Sequence, residues 1–313
     1  MEQTRLRAAV VGVGHLGRHH ARLLAAMPDV DLVAVVDVGA ARAAEIAAAH
    51  ATTPLTDWRA LPADLDAVTV AVPTEAHLEV ALGLIERGAH VLVEKPLARS
   101  VAEADTLISA AASRGVHLAV GHTERFNPAV IAARPFLTQP RFIEAHRLGT
   151  LPERSLDIDV VFDLMIHDLD LLLSIVGEPV VSVEAVGVPV LTPRIDIANA
   201  RLRFESGCIA NLTASRISRD RVRKIRFFQP QSYLSIDYAA QEVEHWTLGA
   251  GPAGTPAISG GKLDVSRDEP LKRELEDFVA AVREGRAPAV TGDQGRAALA
   301  LAAEIVERMA DVR

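Results

Sequence analysis

The sequence predicts a two-domain α/β chain: a parallel sheet flanked by helices, then an α+β domain with an open, mainly antiparallel sheet. Three observations predict it. The first 120 residues alternate short β-branched runs with helical stretches. A glycine-rich turn, Gly12-x-Gly14-x-x-Gly17, joins the first run to the first helix. After residue 121 the strands come in a block. We therefore divide the chain into domains 1–121 and 122–313.

The elements of the first domain follow from two hydrophobic periods. Apolar runs typical of strands buried on both faces lie at Ala8–Val11, Leu32–Val36, Ala67–Val72, His90–Val93 and His117–Val120. Helical stretches separate them at Gly17–Ala26, Ala40–Ala49, Ala76–Glu86 and Val101–Ala112. Strands that alternate with helices imply right-handed crossovers and hence a parallel sheet.

The second domain is predicted to combine a block of strands with four helices. The strands are Val180–Val190, Ala198–Phe204, Cys208–Ser215, Val222–Phe228 and Tyr233–Asp237. The helices are Asn127–Leu137, Asp159–Val176, Pro270–Val282 and Arg296–Met309. Five glycines and two prolines predict an irregular loop over residues 249–261.

Composition excludes several classes of protein. A net charge of −8 argues against nucleic acid or an anionic membrane as the partner. No apolar run reaches the roughly 20 residues of a membrane helix, and the polar N-terminus has no secretory signal. The only cysteine is Cys208, which fits a reducing compartment. We expect a cytoplasmic protein.

The glycine turn is the fingerprint of a Rossmann dinucleotide site because it follows a strand and opens a helix. Gly12, Gly14 and Gly17, with His15 and Leu16 between them, would hold a pyrophosphate on the helix N-terminus. Asp37 ends the second strand, 20 residues past Gly17, where a carboxylate binds the ribose hydroxyls of NAD. NADP is the alternative, with Arg42 as its phosphate contact.

Two further strand ends add candidate site residues. Pro73 and Thr74 follow the strand that ends at Val72, and Thr74 is expected to cap the next helix and to face the cofactor. Glu94, Lys95 and Pro96 follow Val91–Val93. Because ligands lie at the carboxyl ends of such strands, Lys95 would be a cation beside the nicotinamide.

The helix at 159–176 carries a narrow polar stripe. At 100° per residue, Asp159, Asp163, His167, Asp170 and Ser174 fall within an arc of about 80°, and Asp168 is the lone polar residue elsewhere. We interpret the stripe as lining a cleft. The alternative is that it faces bulk solvent. Asp163 and His167 are neighbours at i and i+4, so the carboxylate can orient the imidazole.

Two other groups of charged or polar residues have weaker interpretations. The remaining histidines have no metal-site spacing, so no metal is expected, and His20 is interpreted as a packing residue. Six cations lie within residues 216–226: Arg216, Arg219, Arg221, Arg223, Lys224 and Arg226. We favour the interpretation that these cations lie on the solvent-exposed face or at the edge of a β-sheet. A clamp for a substrate phosphate is the alternative.

Together, the glycine turn, Pro73-Thr74, Glu94-Lys95-Pro96 and Asp163-x-x-x-His167 resemble the Gfo/Idh/MocA (glucose–fructose oxidoreductase/inositol dehydrogenase) superfamily, along nearly the whole chain. The resemblance implies an NAD(P)-binding Rossmann domain, a substrate-binding domain whose open sheet forms homodimers or homotetramers, and a catalytic group of Lys95, Asp163 and His167. It also implies that substrate binds these three residues and Arg125, Asn127 and Arg154. His122 and the 249–261 loop depart from the family pattern.

Within the superfamily, the stretch 154–168 resembles a bacterial branch that oxidises the 3-hydroxyl of UDP-N-acetylglucosamine. We therefore predict an NAD-dependent oxidoreductase that acts on a secondary alcohol of a nucleotide sugar, with His167 as general base and Lys95 as donor to the developing alkoxide. The alternatives are an aldose or inositol dehydrogenase and a non-catalytic NAD-binding regulator.

Overall fold

The structure, a computed structural model, describes residues 5–150, 158–251 and 255–310. Its backbone contacts divide the chain into two compact units. The first contains residues 1–123 and 271–296, and the second contains residues 124–270 and 297–313. Within the described residues, no helix is both long enough and apolar enough to cross a membrane.

A six-stranded parallel sheet forms the centre of the first unit. Its strands are β1 (Leu6–Val11), β2 (Val30–Val36), β3 (Thr53–Leu55), β4 (Ala67–Val70), β5 (His90–Glu94) and β6 (Leu118–Gly121). They lie in the order β3-β2-β1-β4-β5-β6, so the direction of winding reverses between β1 and β4. In doubly wound sheets the ligand crevice opens at that reversal.

Helices complete the first unit: α1 (Gly17–Ala26), α2 (Ala40–His50), α3 (His77–Glu86), α4 (Val101–Arg114) and most of α7 (Pro270–Glu284). The division differs from the single boundary expected after residue 121 because α7 packs against the parallel sheet. Leu275, Phe278 and Val279 are buried in one cluster with Val10 and Leu92. A helix that begins 149 residues after the end of β6 thus completes this core.

The second unit is built on an eight-stranded sheet. Its strands are β7 (Phe142–Leu148), β8 (Val180–Val188), β9 (Ile197–Phe204), β10 (Ile209–Ser215), β11 (Val222–Gln229), β12 (Ser232–Asp237), β13 (Glu242–Ala250) and β14 (Pro256–Lys262). The order is β14-β13-β12-β11-β7-β10-β9-β8, and every pair is antiparallel except β7 with β10. The mainly antiparallel sheet predicted from the sequence is confirmed.

Helices cover one face of this sheet. They are α5 (Pro128–Ala133), α6 (Ile166–Val176), preceded by a π-helical turn over Val161–Met165, and α8 (Gly292–Ala310), whose residues from 297 onward belong to this unit. Ile143, Leu212 and Phe227 from the sheet share a buried cluster with Met165 and Leu169. The opposite face, here called the open face, carries Phe142, Phe228, Tyr233 and Trp246 in one row across four strands.

The sequence prediction was wrong for residues 249–261, which were expected to form an irregular loop. In the described part of that segment, β13 continues to Ala250 and β14 runs from Pro256 to Lys262. Gly260 has φ +138°, and a Cβ there would lie 2.1 Å from the carbonyl oxygen of His245. The glycine thus permits a close approach between two strands. Strands β3, β7 and β13 were also missed.

Candidate functional site

The glycine turn has the geometry that a dinucleotide site requires. Gly12 adopts φ +86°, and a Cβ would lie 2.7 Å from the Ala71 carbonyl group. A Cβ on Gly17 would lie 1.7 Å from the Gly12 oxygen, so this glycine allows helix α1 to pack on the turn. A Cβ on Gly14 would meet nothing within 4 Å, which leaves open space above the turn. Gly14 is therefore the position at which a ligand can approach the backbone.

The N-terminus of α1 is suited to an anion. Leu16 occupies the N-cap and provides no side-chain hydrogen bond, and the first turn has no acidic residue. Leu16 and His15 are both exposed. Uncapped amide groups at a helix N-terminus bind phosphate, so these residues fit the pyrophosphate of a dinucleotide.

Asp37 links the end of β2 to the glycine turn. Its Oδ2 accepts a hydrogen bond from the Val13 amide at 3.1 Å, and its Oδ1 accepts one from the Gly39 amide at 2.9 Å. Carboxylate oxygens have further lone pairs, so these two bonds leave acceptor capacity for ribose hydroxyls. The position is the one expected from the sequence for an NAD-type carboxylate.

The end of β4 differs from the expectation in one detail. Thr74 begins a short 3₁₀ turn, and Pro73 occupies the cap position with no side-chain hydrogen bond. The predicted N-cap role of Thr74 is therefore wrong. Helix α3 starts three residues later at His77, which is only 1 % exposed.

The His77 imidazole joins the ends of β4 and β5. Its Nε2 lies 3.0 Å from the carbonyl oxygen of Val72, and its Nδ1 lies 3.0 Å from that of Pro96. Burial lowers the pKa of His77, against these hydrogen bonds and the charge of Glu94, which raise it. The ring therefore connects two backbone segments: the one just before Thr74 and the one just after Lys95.

Glu94 and Lys95 lie at the end of β5. The Glu94 carboxylate is buried and forms a hydrogen bond with His20 Nε2 at 3.0 Å, while its other oxygen accepts from the Lys95 amide at 3.2 Å. Burial acts to raise the pKa of Glu94, but the His20 hydrogen bond, with Lys95, lowers it below its usual value. His20 is thus a hydrogen-bonding partner and not only a packing residue. Lys95 is half-buried at the carboxyl edge of the sheet.

In the second unit, the predicted polar stripe separates into two parts. Asp159 accepts a hydrogen bond from the Ile195 amide at 2.9 Å, and Asp170 and Ser174 contact Arg125. These three residues thus make contacts that hold the unit together. Asp163 and His167 are half-buried. They lie at the π turn and just after it, a rare irregularity that is frequent at functional sites.

Asp168, the residue that the helical wheel left outside the stripe, forms a buried ion pair. Arg147 of β7 donates to both of its carboxylate oxygens, at 2.8 and 2.9 Å, and to Glu124 at 2.9 Å. Burial alone would lower the pKa of Arg147, but the two carboxylates raise it well above its ordinary value. The Arg147 guanidinium also lies 5.1 Å from the centre of the Tyr238 ring. This network holds helix α6 on the sheet.

The other residues assigned to substrate have contacts within the unit. Arg125 donates to both oxygens of Asp170, at 2.6 and 2.9 Å. The amide group of Asn127 donates to Glu124 and to the Tyr238 carbonyl oxygen, and its oxygen accepts from the Ala129 amide. These contacts support the candidate site, and a direct role in substrate binding stays a prediction for both residues. Arg154 lies outside the described residues.

Sequence reasoning missed His77, Glu124 and Arg147. His77 could have been suspected because a histidine on the apolar side of α3 follows the Pro73-Thr74 turn by three residues. Arg147 had no such signal, because its partner Asp168 is 21 residues away and β7 itself was not predicted. Buried charges are paired, so the position of Asp168 on the apolar part of its helix indicated that a cationic partner exists, but not which residue it is.

Comparison with known proteins agrees with the fold described above. Residues 6–122 match the family described as "Oxidoreductase family, NAD-binding Rossmann fold", and residues 139–229 match the Gfo/Idh/MocA C-terminal domain. The chain is 40% identical over 302 residues to UDP-N-acetylglucosamine 3-dehydrogenase of Acidithiobacillus ferrooxidans, covering 96% of each chain. It is 26% identical over 325 residues to inositol 2-dehydrogenase of Rhizobium meliloti, covering 98% of each.

Solved structures give the same result. A structure of the Acidithiobacillus ferrooxidans enzyme superimposes with a TM-score of 0.91 at 39% identity, over 97% of each chain. A levoglucosan dehydrogenase solved with NADH shares the fold, with a TM-score of 0.88 at 20% identity over 98% of each chain. The chain therefore belongs to the Gfo/Idh/MocA family of NAD-binding oxidoreductases.

Proposed function

We propose that this protein oxidises the 3-hydroxyl of a nucleotide sugar, UDP-N-acetylglucosamine, with NAD as hydride acceptor. The observation that carries the proposal is the 40% identity, over 96% of both chains, to an enzyme named for that reaction. The positions of Lys95 directly after β5, of Asp163 in the π turn and of His167 at the start of α6 support it.

Three side chains would carry the chemistry. NAD, when bound on the glycine turn, supplies the hydride acceptor. His167 would take the hydroxyl proton as general base, and histidine suits this role because its ordinary pKa is near neutrality. Lys95 would donate a hydrogen bond to the oxygen as negative charge develops on it. Asp163 would orient His167 from the preceding turn.

Two alternatives remain testable. An inositol dehydrogenase is the second candidate, favoured by relatives such as the inositol 2-dehydrogenase of Rhizobium meliloti. A non-catalytic NAD-binding regulator is the third, and the presence of Lys95, Asp163 and His167 argues against it. Nucleotide sugars and inositols differ in their phosphates, so substrate screening separates these functions.

The decisive experiment measures NADH formation with UDP-N-acetylglucosamine, N-acetylglucosamine and myo-inositol in parallel. We expect turnover of the nucleotide sugar and little of the other two. His167→Ala should lower kcat by about two to four orders of magnitude, the usual worth of a positioned general base. NADH binding, followed by fluorescence, should stay unchanged. His50→Ala, at the end of α2, is the matched control. Preferential oxidation of myo-inositol, or normal turnover by His167→Ala, would contradict the proposal.

We further propose that the enzyme is a cytoplasmic homodimer or homotetramer assembled through the open face. The aromatic row supports this, because Phe228 and Trp246 remain 37% and 39% exposed there and Leu248 is 46% exposed. Apolar area of this kind favours a partner surface. Glu144–Arg226 and Lys224–Asp237 ion pairs lie beside the row, so a second copy can match apolar residues with apolar and charges with charges.

Light scattering tests the assembly. A particle of at least two chains at micromolar concentration is expected, and Trp246→Glu should shift it toward one chain, whereas Trp58→Glu in the other unit should not. A monomeric wild-type protein would refute the proposed interface. The cytoplasmic assignment is supported by cysteine usage, because a sequence with Cys208 as its one cysteine has no internal disulfide and fits a reducing compartment.

A further inference from the structure

The cations of residues 216–226 do not share one environment. Arg216 is buried, and its Nη2 donates to the Ile158 carbonyl oxygen at 2.5 Å. Lys224 and Arg226 pair with Asp237 and Glu144 and lie on the open face. Neither interpretation of the run made from the sequence therefore applies to all six residues.

Arg223 lies on the opposite face of the same strand. It shares its side of β11 with Ile225 and Phe227, which are both buried in the core, since alternate residues of a strand face the same way. Across the antiparallel pair, Arg223 is directly opposite Arg147. Arg223 thus belongs to the face that helix α6 covers, where Asp168 holds Arg147.

The charge of Arg147 is balanced by two carboxylates in direct contact, whereas the same carboxylates, Glu124 and Asp168, act on Arg223 only from a distance. Arg147 donates to Asp168 and Glu124. Within the described part of the chain, neither Arg223 nor Arg221 forms an ion pair with a carboxylate. Burial, and after it the neighbouring Arg147, lowers the pKa of Arg223, against the charges of Glu124 and Asp168, which raise it. The residue as a whole is nevertheless exposed to solvent, so part of its side chain is accessible to an anionic ligand.

We propose that Arg221 and Arg223 form a subsite for the diphosphate group of the substrate. This inference rests on the proposed function. It adds to that function the place where the diphosphate of the nucleotide sugar would bind. Arg221 precedes Arg223 by two residues at the start of β11, and both are exposed. Guanidinium groups bind phosphate oxygens through paired hydrogen bonds, which a lysine does less well.

The location suits the chemistry of the substrate. In a UDP-sugar the diphosphate is attached to C1, two ring atoms from the C3 that would be oxidised, so its anchor must lie near the general base. Arg223 lies opposite Arg147, Arg147 contacts Asp168, and Asp168 belongs to helix α6, so the subsite lies beside the helix that carries the proposed general base. An inositol has no group for this subsite, so the subsite would contribute to selecting the nucleotide sugar.

The test measures binding of UDP alone as well as turnover. Isothermal titration of UDP into the NADH-loaded enzyme should show Arg223→Gln weakening binding about ten-fold or more, as expected for loss of a charged hydrogen-bonding partner. Arg221→Gln should weaken it less, and Arg223→Lys should retain part of the affinity. With UDP-N-acetylglucosamine, KM should rise far more than kcat falls. Lys224→Gln, the adjacent residue on the open face, should bind UDP like the wild type.

The possible results separate the subsite from the reaction. If the wild type binds UDP and Arg223→Gln does not, the subsite is supported even where UDP-N-acetylglucosamine is not oxidised, and only the proposed reaction fails. If the wild type does not bind UDP, or if folded Arg223→Gln and Arg221→Gln both bind it normally, the subsite is refuted. Circular dichroism establishes folding, and Arg221→Gln with Arg223→Lys carry the test if Arg223→Gln does not fold.

Discussion

Replacing Asp168 with Asn should strongly destabilise the second unit. Asp168 is 3% exposed and receives two hydrogen bonds from Arg147, which is also 3% exposed. The substitution keeps the size of the side chain but removes its charge. Arg147 would then remain buried with Glu124 as its remaining carboxylate partner.

The expected cost follows from that geometry. Removing one partner of a buried ion pair typically costs about 3–5 kcal/mol, because the other charge stays buried. Glu124 still neutralises part of the charge on Arg147, so we expect the lower end of this range, about 3 kcal/mol. A domain is stable by about 5–15 kcal/mol, and the variant should therefore fold but unfold at a clearly lower urea concentration.

Urea unfolding followed by tryptophan fluorescence measures this cost. Trp246 lies in the second unit and Trp58 in the first, so a Trp58→Phe background reports the second unit alone. Asp163→Asn is the matched control: the same change on a half-buried residue of the same helical segment should reduce kcat but change stability much less. A loss of under 1 kcal/mol in Asp168→Asn would refute the argument that this pair holds α6 on the sheet.

Three further predictions concern the first unit. Asp37→Ser should raise the ratio of kcat/KM for NADP over NAD by about ten-fold or more, because a carboxylate that repels a 2′-phosphate is lost; a wild type that already prefers NADP would refute the assignment. His77→Ala should lower kcat and destabilise the unit by about 1–3 kcal/mol, since it leaves a buried carbonyl without a donor. His77→Asn, which can still donate to one carbonyl, should recover part of the lost kcat and part of the lost stability. Unchanged kinetics in His77→Ala would show that the turn at Lys95 does not depend on the imidazole ring. Burial, with the charge of His117, lowers the pKa of His90 below 6.5 against the opposing charge of Asp66; the unfolded chain therefore binds the proton first, and stability should fall as pH drops below about 6.5. His90→Gln should show a smaller decrease in melting temperature between pH 7.5 and 5.5, and an identical decrease would contradict this explanation.

The features that depend only on residues close together in sequence could be predicted from the sequence. Alternating periods identified five of the six parallel strands, and the spacing of Gly12, Gly14 and Gly17 identified the turn that joins β1 to α1. The missed strand β3 has three residues, one of them Pro54, and lies at the sheet edge. So short a run contains too little pattern to distinguish it from a loop.

Other features were decided by contacts between distant residues. Helix α7 was recognised as a helix, but only its packing on Val10 and Leu92 assigned it to the first unit. The sequence of strand β14 has the composition of a glycine-rich loop, and Gly260 is explained by the close approach of β13 and not by its neighbours in sequence. The separation of the polar stripe had the same origin, since Asp170 is held by Arg125, 45 residues earlier.

The sequence by itself determined the cofactor turn, the two kinds of sheet and the residues Lys95, Asp163 and His167 as candidates for the chemistry. The tertiary structure alone decided which charges are buried in pairs and which face solvent. Arg147, Arg216 and Arg223 look alike in the sequence, yet Arg147 is neutralised by two carboxylates, Arg216 is buried and Arg223 is exposed. The energy of a charge depends on its distance from other charges and from water, and those distances are set only when the strands and helices pack.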